Sequence, residues 1–409
     1  MAQKKHRKMR KRTRNRIIFG LICLLILVIL INLLLFIGRG IKALFNSEDK
    51  DKTVEVVKEE KKENVVSLIG VGDNLIHDTV YADAQLSDGS FDFKKMYENF
   101  KEDAQNADIA FINQETILGG VELGLSGYPT FNSPTEIAAD LEETGFNLVN
   151  LATNHCLDRS DAGIENEINA FKNTNIVADG IYNSQEEFDT IPTFTRKGIT
   201  FSFLAYTYGT NGIEAPYSYN VSYFDDALIQ DEVKRAKEIS DVVIVSAHWG
   251  DENTFAPNDY QKHFAQLFAD CGVDLVIGTH PHTIQPVEWI QGENGNSMLC
   301  VYSLGNFIGG MLTTDNAIGG MISLDFVKEK DSISIQNVKW IPTFIHFEGN
   351  QNNILEERYN YKAYRMDQYS DSLASKHVLN GYEGNVVSMD YIESVTKDVI
   401  DEEFLNNLL

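Results

Sequence analysis

Cysteine is scarce and poorly spaced for cysteine chemistry: Cys23, Cys156, Cys271 and Cys300 are the only four in 409 residues. No C-x-x-C pair exists, which excludes a zinc knuckle. The three widely separated thiols beyond residue 40 give no disulfide framework and read as small buried hydrophobes. A phosphate-cradling glycine loop, a G-x-S-x-G nucleophile elbow, internal repeats and low-complexity runs are also missing. Positive charge is short as well. The chain carries a net charge of −25, and nine of its 35 Lys and Arg residues crowd into Met1–Arg16, where there is no Asp or Glu. The acidic remainder excludes nucleic acid as a partner.

The basic block leads directly into an apolar stretch. Residues 17–37 form a run interrupted only by Gly20, Cys23 and Asn32, long enough as a helix to cross about 30 Å of hydrocarbon. With the basic residues before it, this predicts a single-pass membrane anchor with a cytoplasmic N-terminus and an extracytoplasmic main domain. No A-x-A-like cleavage site comes after it, so an anchor is preferred over a removed signal. The predicted organisation is a basic segment (1–16), a transmembrane helix (17–37), a charged stalk (38–64), a main domain (65–349) and a polar, partly helical tail (350–409).

From Val65 amphipathic stretches alternate with short apolar strands, at 66–72, 108–113, 146–152, 241–247 and 273–278. Their unbroken apolar character suits strands covered on both faces, with helices such as 259–271 as crossovers. Segments 199–208, 284–290, 298–304, 320–327 and 332–341 read as further strands without intervening helices. The expected class is α/β, with a mixed sheet or two stacked sheets.

Ligands in such sheets sit beyond the carboxyl ends of the strands, and five strand ends here carry the same kinds of residue. They close on Asp73 and His77, on Glu115, on Asn154 and His155, on His248, Trp249 and Glu252, and on His280-Pro281-His282. Carboxylate, imidazole and amide oxygen together suit Mn, Fe or Zn, and their number suggests two divalent ions. The i, i+2 spacing of His280 and His282 sets both rings on one side of an extended segment, able to serve neighbouring ions. Each residue alone has a plain reading: Asp73 as a cap, Asn154 as a turn former, His155 as a loop histidine, Glu115 as a solvated charge, His248 as a core histidine. Trp249 reads either as a stacking platform or as a wall of the core. The coincidence of five strand ends favours metal binding.

The stretches GDN (72–74), NQE (113–115), GFNLVNLATNHCLD (145–158), HWGDE (248–252), GVDLVIGTHPHTIQPVE (272–288) and YSLGNF (302–307) resemble the CapA family of capsule and poly-γ-glutamate synthesis proteins, related to calcineurin-like metallophosphatases. The resemblance implies a four-layer sandwich of two mixed sheets with outer helices. It places Asp73 and His282 on a first metal and Asn154, His248 and His280 on a second, with Glu115 bridging them. His155 becomes the general acid, and Glu252 and Asn306 line the site. Leu75 stands where related phosphatases have a histidine, a place His77 could fill from another turn. Arg159-Ser160 replaces an aromatic residue and glycine. The leading expectation is a membrane-bound metal-dependent hydrolase or transferase acting on an anionic substrate, either poly-γ-glutamate or a phosphoester, beside other capsule-synthesis membrane proteins. The rivals are a non-catalytic polymer-binding accessory subunit and a phosphodiesterase- or nucleotidase-like metallohydrolase.

Overall fold

A computed structural model describes residues 64–330 and 332–405. The basic segment, the apolar run and all but the last residue of the predicted stalk lie outside the described residues. Among the described residues no helix is long and apolar enough to cross a membrane.

Among the described residues fourteen strands are present: β1 (Asn64–Asn74), β2 (Ile109–Gln114), β3 (Leu148–Asn150), β4 (Val177–Asp179), β5 (Thr193–Arg196), β6 (Ile199–Thr207), β7 (Val242–His248), β8 (Leu275–Thr279), β9 (Ile284–Gln291), β10 (Ser297–Leu304), β11 (Asn306–Ile308), β12 (Ile318–Glu329), β13 (Ser332–Gly349) and β14 (Arg358–Arg365). One sheet runs β14-β13-β12-β1-β2-β3-β4, with β11 paired to β1; the other runs β5-β6-β7-β8-β10-β9. Both are mixed. The series β1 to β4 is parallel, as are β6, β7, β8 and β10, while β12 to β14, β5 and β9 run antiparallel to their neighbours. Every residue of β2, β7 and β8 is buried, as strands packed on both faces require.

The sheets stack through aromatic contacts: Phe111 lies 6.2 Å from Phe203, and Phe201 lies 5.2 Å from Phe326, both edge to face. Helices cover the outer faces. Asp259–Cys271 follows a full capping box between Asn258 and Gln261 and stops at Gly272, whose φ of +89° gives the left-handed exit. It buries Phe264, Ala265, Phe268 and Ala269 with Trp249 and Tyr206 in a second, smaller core behind the six-stranded sheet.

Three features depart from the sequence reading. The third strand shrinks to Leu148–Asn150. Between β6 and β7 stands a helix, Asp226–Ile239, capped by Asp225 and buried along Ile229, Glu232, Val233 and Ala236; its charged outer face hid that stripe. The segment read as a polar tail also supplies β14, which pairs with β13 along the edge of the larger sheet. Its half-buried edge position gives a broken alternation of tyrosine and charge, with no apolar run.

Candidate metal centre

The two sheets come together at one strand edge because the chain crosses between them at Gly305. β10 ends there in one sheet, and β11 begins beside β1 in the other, with Asp73 paired to Asn306. Only glycine permits the approach: a Cβ on Gly72 would lie 1.8 Å from the Gly305 carbonyl oxygen, and one on Gly278 would lie 2.0 Å from that of Tyr302. The ends of β1, β2, β7 and β8 thus converge.

Three groups of ligand atoms result, each within 4.8 Å: Asp73 with Glu115 and His282, Glu115 with His248 and His280, and Glu252 with His280 and His282. Glu115 belongs to two of them. Its Oε1 lies 3.5 Å from His282 Nε2 and 3.8 Å from His248 Nε2. Asn154 reaches the same place, its Oδ1 3.0 Å from His248 Nε2. Asp73, Glu115, His248, His280 and His282 are buried, whereas Glu252 is exposed at the mouth.

Neighbours fix the rings by the nitrogen turned away from Glu115. His248 Nδ1 lies 2.9 Å from Thr279 Oγ1, and His282 Nδ1 lies 3.0 Å from Asn306 Oδ1 and 3.2 Å from Asp73 Oδ2. Asn113 donates to Asp73 Oδ1 at 2.7 Å. Such outer hydrogen bonds set ring orientation in metal sites.

The backbone is under tension at the same point. His280 and His282 hold φ of +95° and +58°, conformations that cost about 1–3 kcal/mol each for residues with a Cβ.

Electrostatics show what the cluster needs. Both carboxylate oxygens of Glu115 and Nδ1 of His280 are buried without a hydrogen-bond partner, an expensive state unless a cation meets them. Burial raises the Glu115 carboxyl well above its ordinary range. Burial opposes the His282 imidazolium, but Glu115 and Asp73 beside it lift its pKa to about 10. Burial, and then the neighbouring imidazoles, push His248 and His280 well down, so both rings are neutral and able to ligate. Neutral imidazoles, carboxylates and an amide oxygen around unpartnered buried atoms fit one or more divalent cations.

His155 stands next to this cluster and outside it. Its Nδ1 is 2.7 Å from Asp158 Oδ2, which also accepts the Phe131 N–H at 2.6 Å. Ser160, where the resemblance puts a glycine, keeps the glycine-like φ of +54°.

Three further residues stand outside the ligand groups. His77 joins none of the three groups; it accepts the Gly310 N–H at Nδ1 and sets its ring edge-on to Phe131 at 5.2 Å. Its turn faces the β11–β12 connection, so it does not replace the histidine absent at Leu75. Trp249 lies in the second core and donates its indole N–H to the Tyr302 carbonyl at 3.0 Å, because strand alternation sends it to the face opposite His248. Asn306 orients His282 rather than joining a ligand group.

Two residues escaped the sequence reading. Tyr208 packs its ring 4.6 Å from His280. Asn211 meets Asn154 at 3.3 Å and His155 Nδ1 at 3.4 Å. Both follow β6, a sixth strand end to which the strand-end rule applied equally.

Known proteins resemble this chain in sequence. The "PGA biosynthesis protein CapA" of Bacillus subtilis (strain 168) is 30% identical over 185 residues, 44% of this chain and 47% of that protein. The "Capsule biosynthesis protein CapA" of Bacillus anthracis is 30% identical over 196 residues, 45% of this chain and 46% of that one. The chain thus spans about half the length of these curated relatives. Among solved structures, the calcineurin-like phosphoesterase YfkN from Bacillus subtilis aligns over 82% of this chain and 96% of its own, with a TM-score of 0.42 and 12% identity. A hypothetical protein from Thermus thermophilus covers 67% of this chain and 99% of its own, with a TM-score of 0.41 and 15% identity. The family profile described as "Bacterial capsule synthesis protein PGA_cap" matches residues 67–311, a span that holds every residue of the three ligand groups, and the chain belongs to that family.

Proposed function

We propose that the protein is a metal-dependent hydrolase or transferase that acts on an anionic substrate during synthesis of an extracellular capsule polymer. The observation that carries this reading is Glu115: a buried carboxylate with no hydrogen-bond partner, shared by two groups of imidazole and carboxylate ligands. Asp73, Glu115 and His282 would hold one divalent ion, and Glu115, Asn154, His248 and His280 a second. Such ions supply positive charge that draws in an anionic group and acidifies water. The chain's own groups position and protonate. Thr279 and Asn306 keep His248 and His282 turned toward Glu115. Asp158 holds His155 at Nδ1, which leaves Nε2 to give the proton to the leaving oxygen. The bond broken is a phosphoryl or carboxyl-derived one.

The capsule setting comes from the family and from the names of the two Bacillus relatives. Anchoring by residues 17–37, with the N-terminus in the cytoplasm and the main domain outside beside other membrane proteins of the same synthesis, rests on the sequence pattern and belongs to the same proposal.

Elemental analysis of the full chain beside a His280→Ala, His282→Ala double variant tests the metal site. About two Mn, Fe or Zn per chain, lost in the variant, is the expected result. A chain that takes up no metal on resupply overturns the reading. It would favour an accessory subunit that retains polymer without turnover, since the relatives' names specify a pathway and no reaction.

A further inference from the structure

The positive φ angles of His280 and His282 persist only if their surroundings enforce them, and three consecutive carbonyls of that loop are engaged from outside it. The Pro281 carbonyl accepts the Asn253 N–H at 2.8 Å. The His282 carbonyl accepts from the side-chain amides of Asn316 at 3.2 Å and Asn306 at 3.4 Å, and the Thr283 carbonyl accepts from the Ser303 hydroxyl at 2.8 Å. Asn316 closes these bonds into a ring. Its buried amide also donates to Asn253 Oδ1 at 2.8 Å, and its Oδ1 accepts from the Thr313 hydroxyl. Its backbone carbonyl accepts at 2.9 Å from Asn306, the residue whose Oδ1 faces His282 Nδ1. One side chain therefore joins the loop that carries Glu252 to the loop that carries His280 and His282.

Asn316 stands in a helix of one turn, Thr314–Ala317, too short to be stable on its own. The C-terminal segment holds that turn in place. Asn385 accepts the Thr314 N–H at 2.7 Å on Oδ1 and donates through Nδ2 to the Leu312 carbonyl at 3.2 Å, and the Tyr391 hydroxyl donates to Asp315 Oδ1 at 2.7 Å. Asn385 is steadied in turn by the Tyr382 carbonyl, which accepts from Nδ2 at 2.8 Å. The family profile ends at residue 311, so Asn316 and both of its supports lie past the matched span. Hydrogen bonds one step outside the ligands of a metal site change its affinity, and here a continuous series of them runs from His282 to Asn385 and Tyr391.

We propose that Asn316 is a positioning residue of the metal centre, and that the C-terminal segment sets metal affinity through it by way of Asn385 and Tyr391. The proposal rests on the metal reading above and deepens it by naming what holds the His280-Pro281-His282 loop in its ligating shape.

A double-mutant cycle on metal affinity tests it, with manganese and zinc each titrated against a chelator in the full chain and urea unfolding of the metal-free forms run beside them. Asn316→Ala is expected to weaken binding about tenfold to a hundredfold and Asn385→Ala about threefold to tenfold. In the Asn316→Ala background the Asn385 substitution should add nothing further. A merely structural role would lower the urea midpoints and leave the affinities at the parent value, which overturns the proposal. Equal weakening by Asn385→Ala in both backgrounds overturns it too, because Asn385 would then act by another route. If Asn316→Ala does not fold, Tyr391→Phe decides, since it removes one hydroxyl from a half-buried ring. Binding about threefold weaker supports the proposal, and parent affinity overturns it. A parent chain that binds neither metal overturns the metal reading and this proposal with it.

Discussion

Among the described residues two clusters of buried histidines differ in what surrounds them. His248, His280 and His282 face carboxylates, leave buried atoms without partners and, in two of the three, sit at positive φ. His346 and His377 pack with rings 5.4 Å apart behind β13, among Phe344, Phe347 and Tyr369. Both nitrogens of His377 are engaged, Nε2 with the Ile345 carbonyl at 3.0 Å and Nδ1 with the Leu379 N–H at 3.1 Å; His346 Nδ1 meets the Tyr369 hydroxyl at 2.8 Å, and its Nε2, buried without a hydrogen-bond partner, lies 3.7 Å from Glu348 Oε1. Burial lowers the pKa in both places. Burial and a shifted pKa therefore do not identify a site. A single unpartnered nitrogen does not either; several carboxylates converging with imidazoles on a strained backbone do.

The sharpest way to break that contrast is to truncate each cluster. Replacing His280 and His282 by Ala should remove essentially all bound metal and lower turnover by at least about a hundredfold. His377→Ala should leave metal content intact but cost about 2–4 kcal/mol of stability through a cavity and two lost hydrogen bonds. Elemental analysis and urea unfolding of the same preparations separate the two effects. His280→Gly should lose metal while relieving the φ of +95°, so its metal-free form unfolds no earlier than the parent; a marked loss of stability there would refute strain at this residue. One step outward, Thr279→Val removes the Thr279 hydroxyl from His248 Nδ1 and Asn306→Ala removes the amide oxygen from His282 Nδ1, and each should weaken metal binding about tenfold to a hundredfold in competition with a chelator.

The second cluster predicts a pH effect. Burial, aided by His346, lowers His377 from 6.5 to about 3. A base with a depressed folded pKa binds fewer protons folded than unfolded, so its contribution is complete above pH 6.5 and is lost as pH falls toward 3. The loss amounts to roughly 3–5 kcal/mol across that window. His377→Asn, which keeps an acceptor for the Leu379 N–H, should flatten the decline in urea midpoint between about pH 6.5 and 4. An unchanged slope would mean that His377 is protonated inside the fold.

Most of the centre was legible because strand ends are a local signal. Asp73, Glu115, Asn154, His248 and His280-Pro281-His282 each follow an apolar run that period and composition reveal. What the sequence did not carry was direction. Trp249 and His248 are adjacent and point to opposite faces, and only strand register decides which one sees the ligand groups. His77 had the right chemistry in the wrong turn, because the chain turns toward Gly310 after Leu75. Tyr208 and Asn211 were passed over for residue type, since tyrosine and asparagine after a strand are ordinary turn and surface residues until a partner such as His280 or Asn154 is seen beside them. The edge strand β14 was missed because its apolar positions are tyrosines, spaced for a half-covered edge.

The smallest expected effect sharpens the comparison for acids. Asp179 is buried like Glu115, but its oxygens are met, Oδ1 by the Tyr182 hydroxyl at 3.0 Å and Oδ2 by the Ala205 N–H at 3.1 Å. Burial nevertheless outweighs the Tyr182 bond and lifts its pKa from 3.8 to about 8. An acid with a raised folded pKa stabilises the fold below its unfolded pKa, and that contribution is lost as pH rises from about 4 through about 8. Asp179→Asn retains an acceptor for Ala205 and can donate to the Tyr182 oxygen, so it should remove that decline with metal content unchanged. Glu115→Gln, similar in shape, should abolish metal binding by withdrawing the shared carboxylate charge. If both amides bound metal equally, the charge of Glu115 would not be what holds the cation, and the imidazoles with Asp73 would have to suffice.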